Sequence, residues 1–304
     1  MSSTTAPAIT FIRSAAEERI KKRLGARRSL VDKIVTLFCL AATAVGLFFL
    51  GAILYTLVAR GIVALDLTIF TAEFQPTRYG DDSLPKGGLR HAIVGSLIQV
   101  AIATAIGTPV GILVGTYLAE YAQRTAFGNA VRFVSDILLS APSILIGLFI
   151  YQLVVLPMGG FSGIAGALAL AIIVIPVVVR TTEDMLQLIP NTLREAVIAL
   201  GAPKWKMIVF VCYKATLSGI LTGILLAVAR VSGETAPLLL TSFGNNVVST
   251  DLTKAMASLP ISIYQQANSG FPDLIEIAWT GALLITAGVL LINIIARVLL
   301  RKRI

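Results

Sequence analysis

Histidine occurs once in this chain of 304 residues, at His91, and cysteine twice, at Cys39 and Cys212. Neither cysteine has a partner at metal-ligand spacing, so no zinc cluster and no disulfide are expected. There is no HExxH, no CxxC and no Gly-Lys dipeptide. The last absence removes the P-loop, whose lysine reaches the nucleotide phosphates, so the chain carries no ATP site of that kind. No motif for nucleophilic catalysis is present, and no cofactor or metal is expected. Charge is scarce too: 13 % of residues are charged against 56 % hydrophobic. Soluble domains carry about 25 % charged residues, so a soluble globular core is excluded.

What is present is a set of long apolar runs, and a run of about 18 or more such residues is long enough to cross a bilayer. Six spans are predicted, at about 34–58, 92–119, 134–156, 163–180, 214–241 and 277–298. The net charge of +9 gathers beside them, which has a topological cause, and nucleic acid is not expected as a partner. Arg13, Arg19, Lys21, Lys22, Arg23, Arg27, Arg28 and Lys33 precede the first span. Arg124 and Arg132 lie between spans two and three. Arg180, Arg194, Lys204, Lys206 and Lys214 lie between four and five, and Arg297, Arg301, Lys302 and Arg303 close the chain. The other side holds only Arg60, Arg78, Lys86, Arg90 and Lys254. Positive charge marks the cytoplasmic side, so both termini are expected there.

The resulting organisation is a basic segment at 1–33, a first span with its external loop at 34–90, a main transmembrane domain at 91–298 with a cytoplasmic loop at 181–213, and a basic tail at 299–304. Residues 1–33 are too polar, and the run after them too long, for a cleavable signal. Two readings of 1–33 stand: a helix on the anionic inner leaflet, or a solvated tail that sets topology. The external segment 242–276 contains an apolar stretch, Leu252 to Ala267, broken by Pro260, which fits an interfacial or a re-entrant helix. Gly107, Gly111 and Gly115 recur at four-residue spacing, as do Gly219 and Gly223, a pattern that lets helix backbones approach closely. His91, opening a span, is read as structural.

The 181–213 loop has local structure of its own. Pro190 stops the preceding helix, and Thr192-Leu193-Arg194-Glu195 has the form of a capping box. A short helix is expected over 193–200, with Gly201 at its C-terminal cap and Pro203 beyond. Leu193, Ala196, Val197 and Leu200 form an apolar stripe, followed by Trp205. The residues alone allow a helix resting on the bilayer or one that docks a partner.

Glu195-Ala196-Val197-Ile198-Ala199-Leu200-Gly201 resembles the EAA loop of binding-protein-dependent ABC permeases, whose pattern is Glu-Ala-Ala, three residues, Gly. Val197 departs from it at the third position, and Val211-Cys212-Tyr213-Lys214 replaces the usual hydrophobic-Leu-Pro exit. The likeness extends over roughly residues 85–300. Gly87-Gly88-Leu89, Ala92 to Ser96, and Gly233-Glu234-Thr235-Ala236-Pro237-Leu238-Leu239 are similar to the phosphate-permease A-subunit type within that family.

The resemblance implies an all-α membrane protein, a six-helix type I ABC importer (MetI-like) bundle with a cytoplasmic coupling helix. Glu195, Ala196 and Gly201 would mark that helix. It implies a bacterial inner-membrane phosphate importer with a homologous second permease, two ATP-binding subunits and an extracytoplasmic phosphate-binding protein as partners, in contact with membrane lipid.

The fifth span is apolar from Leu217 to Thr241, about 37 Å at about 1.5 Å per residue, which puts Arg230 near its middle. Glu234 follows four residues on, on the same face. Charge at that depth costs at least about 2.5–3.5 kcal/mol, so it faces a partner or a polar path. The pair is either self-satisfied and structural, or an anion site in which the guanidinium fork meets phosphate oxygens and Glu234 moderates the charge. Pro237 is expected to kink the span. Arg180, with Glu183 and Asp184 a turn later, is either a topological charge or part of the inner exit of that path. Alternatives are an ABC permease for molybdate, sulfate or phosphonate, and an ion-gradient transporter. The latter should show more buried carboxylates and inverted repeats; a membrane-embedded enzyme would need a catalytic pair.

Overall fold

The computed structural model describes the backbone of residues 6–75 and 87–301, and side chains for 28–75, 87–295 and 298. Parts of the expected terminal segments 1–33 and 299–304, and the loop charges Arg78 and Lys86, lie outside what is described. Every regular element among the described residues is helical.

The chain divides after Thr56. The first unit is nearly all of helix α1, Ala6–Gly61, a single rod of 56 residues. From Arg28 onward it is apolar enough to span a bilayer. Leu37, Phe38, Leu47 and Phe48 are exposed, so its side chains are solvated by lipid or by another chain.

The second unit begins at Leu57. Thr280 Oγ1 donates to the Gly61 carbonyl (2.9 Å). A short helix, α2 (Thr68–Thr71), packs Ile69 against Leu89 and Ala92 at the start of α3, Arg90–Glu120. His91 is buried there, edge-on to Phe74, which fits its structural reading.

The expected third span is not one rod. Helix α4 (Ala126–Ser140) stops at Ala141-Pro142, and α5 (Ser143–Met158) departs at 104°. Pro142 is the cause: it takes extended backbone (ψ 127°) at the N-cap of α5 and has no N–H to continue the helix before it. A π turn at Tyr151–Val155 lies inside α5.

Helix α6, Gly163–Gln187, is the centre of the bundle, with 72 % of its apolar window buried. Gly107, Gly111 and Gly115 of α3 lie against it, as their spacing predicts. A methyl added at these positions would stand 2.7 Å from Val174 Cγ1, 2.6 Å from Val178 Cβ and 2.6 Å from the Val179 carbonyl. Dispersion between backbones at such range substitutes for the hydrophobic effect, which lipid does not supply. Gly219 and Gly223 meet Met185 and Thr181 of α6 in the same way.

A loop helix, α7 (Asn191–Ala199), precedes α8, a continuous helical stretch over Lys204–Ser232 with a π turn at Met207–Cys212. Then come α9 (Ala236–Thr241), α10 (Leu259–Ala267) and α11 (Pro272–Arg301). The 242–276 segment folds onto one end of the bundle. Met256, Ala257 and Ser258 are buried; Gln99 Nε2 donates to the Ala257 carbonyl (3.1 Å), and Ser96 Oγ accepts from Leu259 N–H (2.7 Å). Pro260 lies in the first turn of α10, where its missing N–H costs nothing. The described helices give five apolar spans, or six when α4 and α5 count as one broken span. Cys39 and Cys212 are both free thiols.

Candidate functional site

Two places combine charge with irregular backbone: the junction around α7 and the break between α8 and α9.

At the junction, the helix starts two residues earlier than expected. Pro190 is the N-cap, with extended backbone (ψ 145°), and no side chain caps the helix. Thr192 therefore falls inside the first turn and the expected capping box does not form. The Pro190 carbonyl accepts from Leu193 N–H (3.2 Å), while Asn191 Oδ1 accepts from Arg194 Nη1 (3.1 Å). The far end is as predicted: Gly201 has φ +79° and its N–H reaches the Ile198 carbonyl (2.9 Å), a left-handed close that favours glycine.

The apolar stripe is divided between an inner and an outer side. Only Val197 packs inward, against a cluster that includes Ala119, Leu186 and Met207. Leu193, Ala196 and Leu200 are exposed, as are Glu195, Ile198 and Trp205, and Leu200 reaches 87 %. An apolar group that free on a surface helix is suited to a partner.

What holds α7 in place is Arg194, which from the sequence is only a topological charge. Its Nη2 lies 2.9 Å from Glu120 Oε1 at the end of α3, and Nε donates to the same oxygen at 3.2 Å. The remaining N–H groups reach the carbonyls of Ile189 and Leu186 (2.7 Å each) and Asn191 Oδ1. Lys204 Nζ donates to the Glu120 carbonyl. A parallel latch joins α4 to the bundle: Arg132 Nε donates to Glu183 Oε1 at 2.7 Å, and its other nitrogens reach the carbonyls of Leu118, Ala122 and Gln123 and Asn129 Oδ1. These pairings cross 74 and 51 residues, and no local pattern marks them. The available signal is an arginine in each segment between spans two and three and between spans four and five, with Glu120 and Glu183 near the ends of apolar runs.

At the break, the expected continuous span over 217–241 is overturned. Helix α8 begins at Lys204 and ends at Ser232, so its middle lies near residue 218 and Arg230 sits in its last turn. The cause is Gly233 followed by Pro237. Glycine weakens the helix, and the proline, in the first turn of α9, starts a new one. Pro237 thus sits after the break and does not kink a span. Its Cα packs on Gly147 of α5, where an added methyl would stand 2.6 Å away.

Arg230 Nε lies 3.9 Å from Glu234 Oε1, with the two side chains 42 % and 17 % exposed. Arg180 is not joined to them by any ion pair or hydrogen bond among the described residues. In the C-terminal half of α6, it faces Asp184 of the same helix (3.3 Å) and Asp136 of α4 (3.9 Å) and is half exposed. Of the three expected path residues, the structure pairs Arg230 with Glu234 and leaves Arg180 with its own carboxylates. Glu195, Ala196 and Gly201 sit together on or beside the exposed α7.

Five to six apolar spans among the described helices, with small-residue seams and an exposed loop helix in the second unit, describe a multi-pass membrane protein. Residues 107–304 match the family profile "Binding-protein-dependent transport system inner membrane component", and the chain belongs to that family. It is 49 % identical over 287 residues to the "Phosphate transport system permease protein PstA" of Yersinia pestis, covering 94 % of this chain and 95 % of that one. The protein of the same name from Pasteurella multocida is 51 % identical over 271 residues, covering 89 % and 95 %. Among solved structures, an inward-facing form of the MetNI methionine ABC transporter superposes with a TM-score of 0.56 at 19 % identity, over 69 % of this chain and 91 % of that chain. That likeness establishes the fold: a MetI-like ABC permease bundle. The chain is accordingly a transport subunit of the inner membrane that acts with other transporter components.

Proposed function

We propose that this chain is the permease subunit of an ATP-driven inorganic phosphate importer. The observation that carries this reading is near-full-length identity of about half to phosphate transport permeases from several bacteria. In the working complex a homologous second permease completes the path, an extracytoplasmic binding protein delivers phosphate, and two ATP-binding subunits supply energy that this chain, lacking a P-loop, cannot.

The Lys and Arg distribution supports cytoplasmic termini and a cytoplasmic α7 end: Arg124, Arg132, Lys204, Lys206 and Lys214 gather there, against Arg60, Arg90 and Lys254 at the other. The proposed division is 34–90 for the first span and its loop and 91–298 for the permease domain, with 181–213 as the coupling loop. Glu195, Ala196 and Gly201 belong to the coupling helix, whose exposed Ile198 and Leu200 face the ATPase. Arg194 makes the coupling rigid, because a push on α7 passes through Glu120 into α3 and along α8.

At the far end of α8, Arg230 offers guanidinium N–H groups to phosphate oxygens. Glu234 keeps the site near neutral, since a strongly positive site traps an anion instead of releasing it. Arg180, between Asp136 and Asp184, is a neutralised charge at the inner exit. The test is radiolabelled phosphate uptake, with all subunits present, in cells lacking other phosphate importers. Uptake restored by this chain and abolished by Arg230→Ala at equal membrane abundance is the expected result. Restoration of sulfate or molybdate uptake instead overturns the substrate, and wild-type-like uptake by Arg230→Ala overturns the site.

A further inference from the structure

An open cleft of about 500 Å³ lies at the α7 junction, and its lining includes Glu120, Tyr121, Arg124, Asn191, Arg194 and Lys204. Three of these six are cations and one is a carboxylate. The hydrogen-bond bookkeeping separates the groups that are committed from those that are not. Arg194 uses all five of its N–H groups on Glu120, Asn191 and two carbonyls. It neutralises Glu120 and has nothing left to give. Lys204 commits one N–H to the Glu120 carbonyl and rests 4.2 Å from the centre of the Tyr121 ring, so further N–H capacity remains. Asn191 turns its oxygen to Arg194, and its amide N–H₂ donates to no group among the described residues. Arg124 is exposed and has no hydrogen bond or ion pair among the described residues. The wall thus holds a surplus of positive charge and of donors, on Arg124, Lys204 and Asn191. An occupant has to be anionic and rich in acceptors.

The geometry points to a second oxyanion site here, taking a phosphoryl group, with Arg124 as its principal ligand and Lys204 and Asn191 as further donors. The planar guanidinium fork matches two phosphoryl oxygens at once, and an ammonium and an amide complete the set. Two sources carry this chemistry: free phosphate, and the head group of an anionic phospholipid, which the cleft's place where the apolar spans Arg90–Glu120 and Lys204–Ser232 end makes accessible. The site is separate from Arg230 and Glu234 and does not depend on what they bind. Its wall is shared between α7, through Asn191 and Arg194, and the end of α3, through Glu120 and Tyr121. An occupied site therefore ties the loop helix to the bundle and resists its displacement.

The test uses the full chain with Trp279→Phe, which leaves Trp205, next to Lys204, as its remaining tryptophan. In phosphatidylcholine nanodiscs, sodium phosphate is titrated against chloride at matched ionic strength, and Trp205 emission and the unfolding temperature are followed. A second set of discs contains phosphatidylglycerol and no phosphate. A saturable response in the first set identifies free phosphate as the source; a response confined to the second identifies the lipid. In either case Arg124→Gln is expected to weaken it by about tenfold or more, while Arg230→Ala leaves it in place. Circular dichroism establishes that each variant is folded. No response of either readout to either probe, or an equal response in Arg124→Gln, overturns the proposal.

Discussion

Two arginine–glutamate pairs in this bundle are built in opposite ways. Arg194 and Glu120 are 11 % and 3 % exposed, meet at 2.9 Å, and share their pocket with two backbone carbonyls and Asn191 Oδ1, which take every remaining donor. Arg230 and Glu234 are 42 % and 17 % exposed and meet at 3.9 Å beside a helix break. In the first pair the arginine is saturated and has no capacity for a ligand. In the second the fork is largely open. Burial and donor count, more than the identity of the residues, separate an arginine that holds a structure together from one that can recognise an anion.

The largest effect that tests this contrast is expected from Arg194→Ala. It strands a buried Glu120 and removes the donors to two carbonyls, a loss of about 3–5 kcal/mol. The readouts are the unfolding temperature in detergent and retention of the ATPase on purification, and both should fall. Should the variant assemble and melt like wild type, the latch is not structural. Arg132→Lys is expected to cost less, about 1–3 kcal/mol, because charge toward Glu183 survives while the fork that serves several acceptors does not; denaturation in parallel with Arg194→Ala measures the difference.

Arg230→Ala is expected to change stability by less than about 1 kcal/mol, the range of solvent-screened pairs, while abolishing uptake. A large loss of stability would make it another latch and erase the contrast. The smallest effect belongs to Asp251, an exposed carboxylate outside the spans. Hydrogen bonds from Thr253, first from its hydroxyl and then from its backbone N–H, hold its pKa below the usual carboxylate range, with Lys254 adding to this. The folded form thus binds the proton less readily than the unfolded chain. The resulting stabilisation is present above the ordinary carboxylate pKa of about 3.9 and lost as pH falls through the depressed value. Asp251→Asn should remove this slight acid dependence and lower melting a little at neutral pH, the two proteins converging in acid, as scanning calorimetry from neutral to acidic pH would show.

Much of this architecture is legible in the sequence because bilayer thickness and helix rise fix how long an apolar run must be. The glycines at 107, 111 and 115 announce their seam, and Gly201 announces the close of the loop helix. The breaks were harder to place. Pro142 and Pro237 each begin a helix, but within an apolar run a proline can equally bend one, and it is the folded backbone, with Pro237 seated on Gly147, that decides. Span continuity was therefore assumed, and with it a mid-membrane depth for Arg230. Arg194 and Arg132 were counted as topological charges for a different reason: their partners lie far along the chain, and what makes each a latch is a set of backbone carbonyls that no sequence pattern displays.

The glycine seam also bears on how this protein can change over generations. Val174, Val178 and Thr182 fill the space that side chains at 107, 111 and 115 would need. A single enlargement on α3 meets either a valine or a carbonyl and is purged, and a single reduction on α6 opens a void. Trimming a branch on α6 does not make room either, because Val174 Cβ, Val178 Cβ and the Val179 carbonyl themselves stand 2.8, 2.6 and 2.6 Å from the added methyl. Divergent relatives should accordingly keep glycine at 107, 111 and 115 while the outer faces of the same two helices drift, so that the seam outlasts the sequence around it.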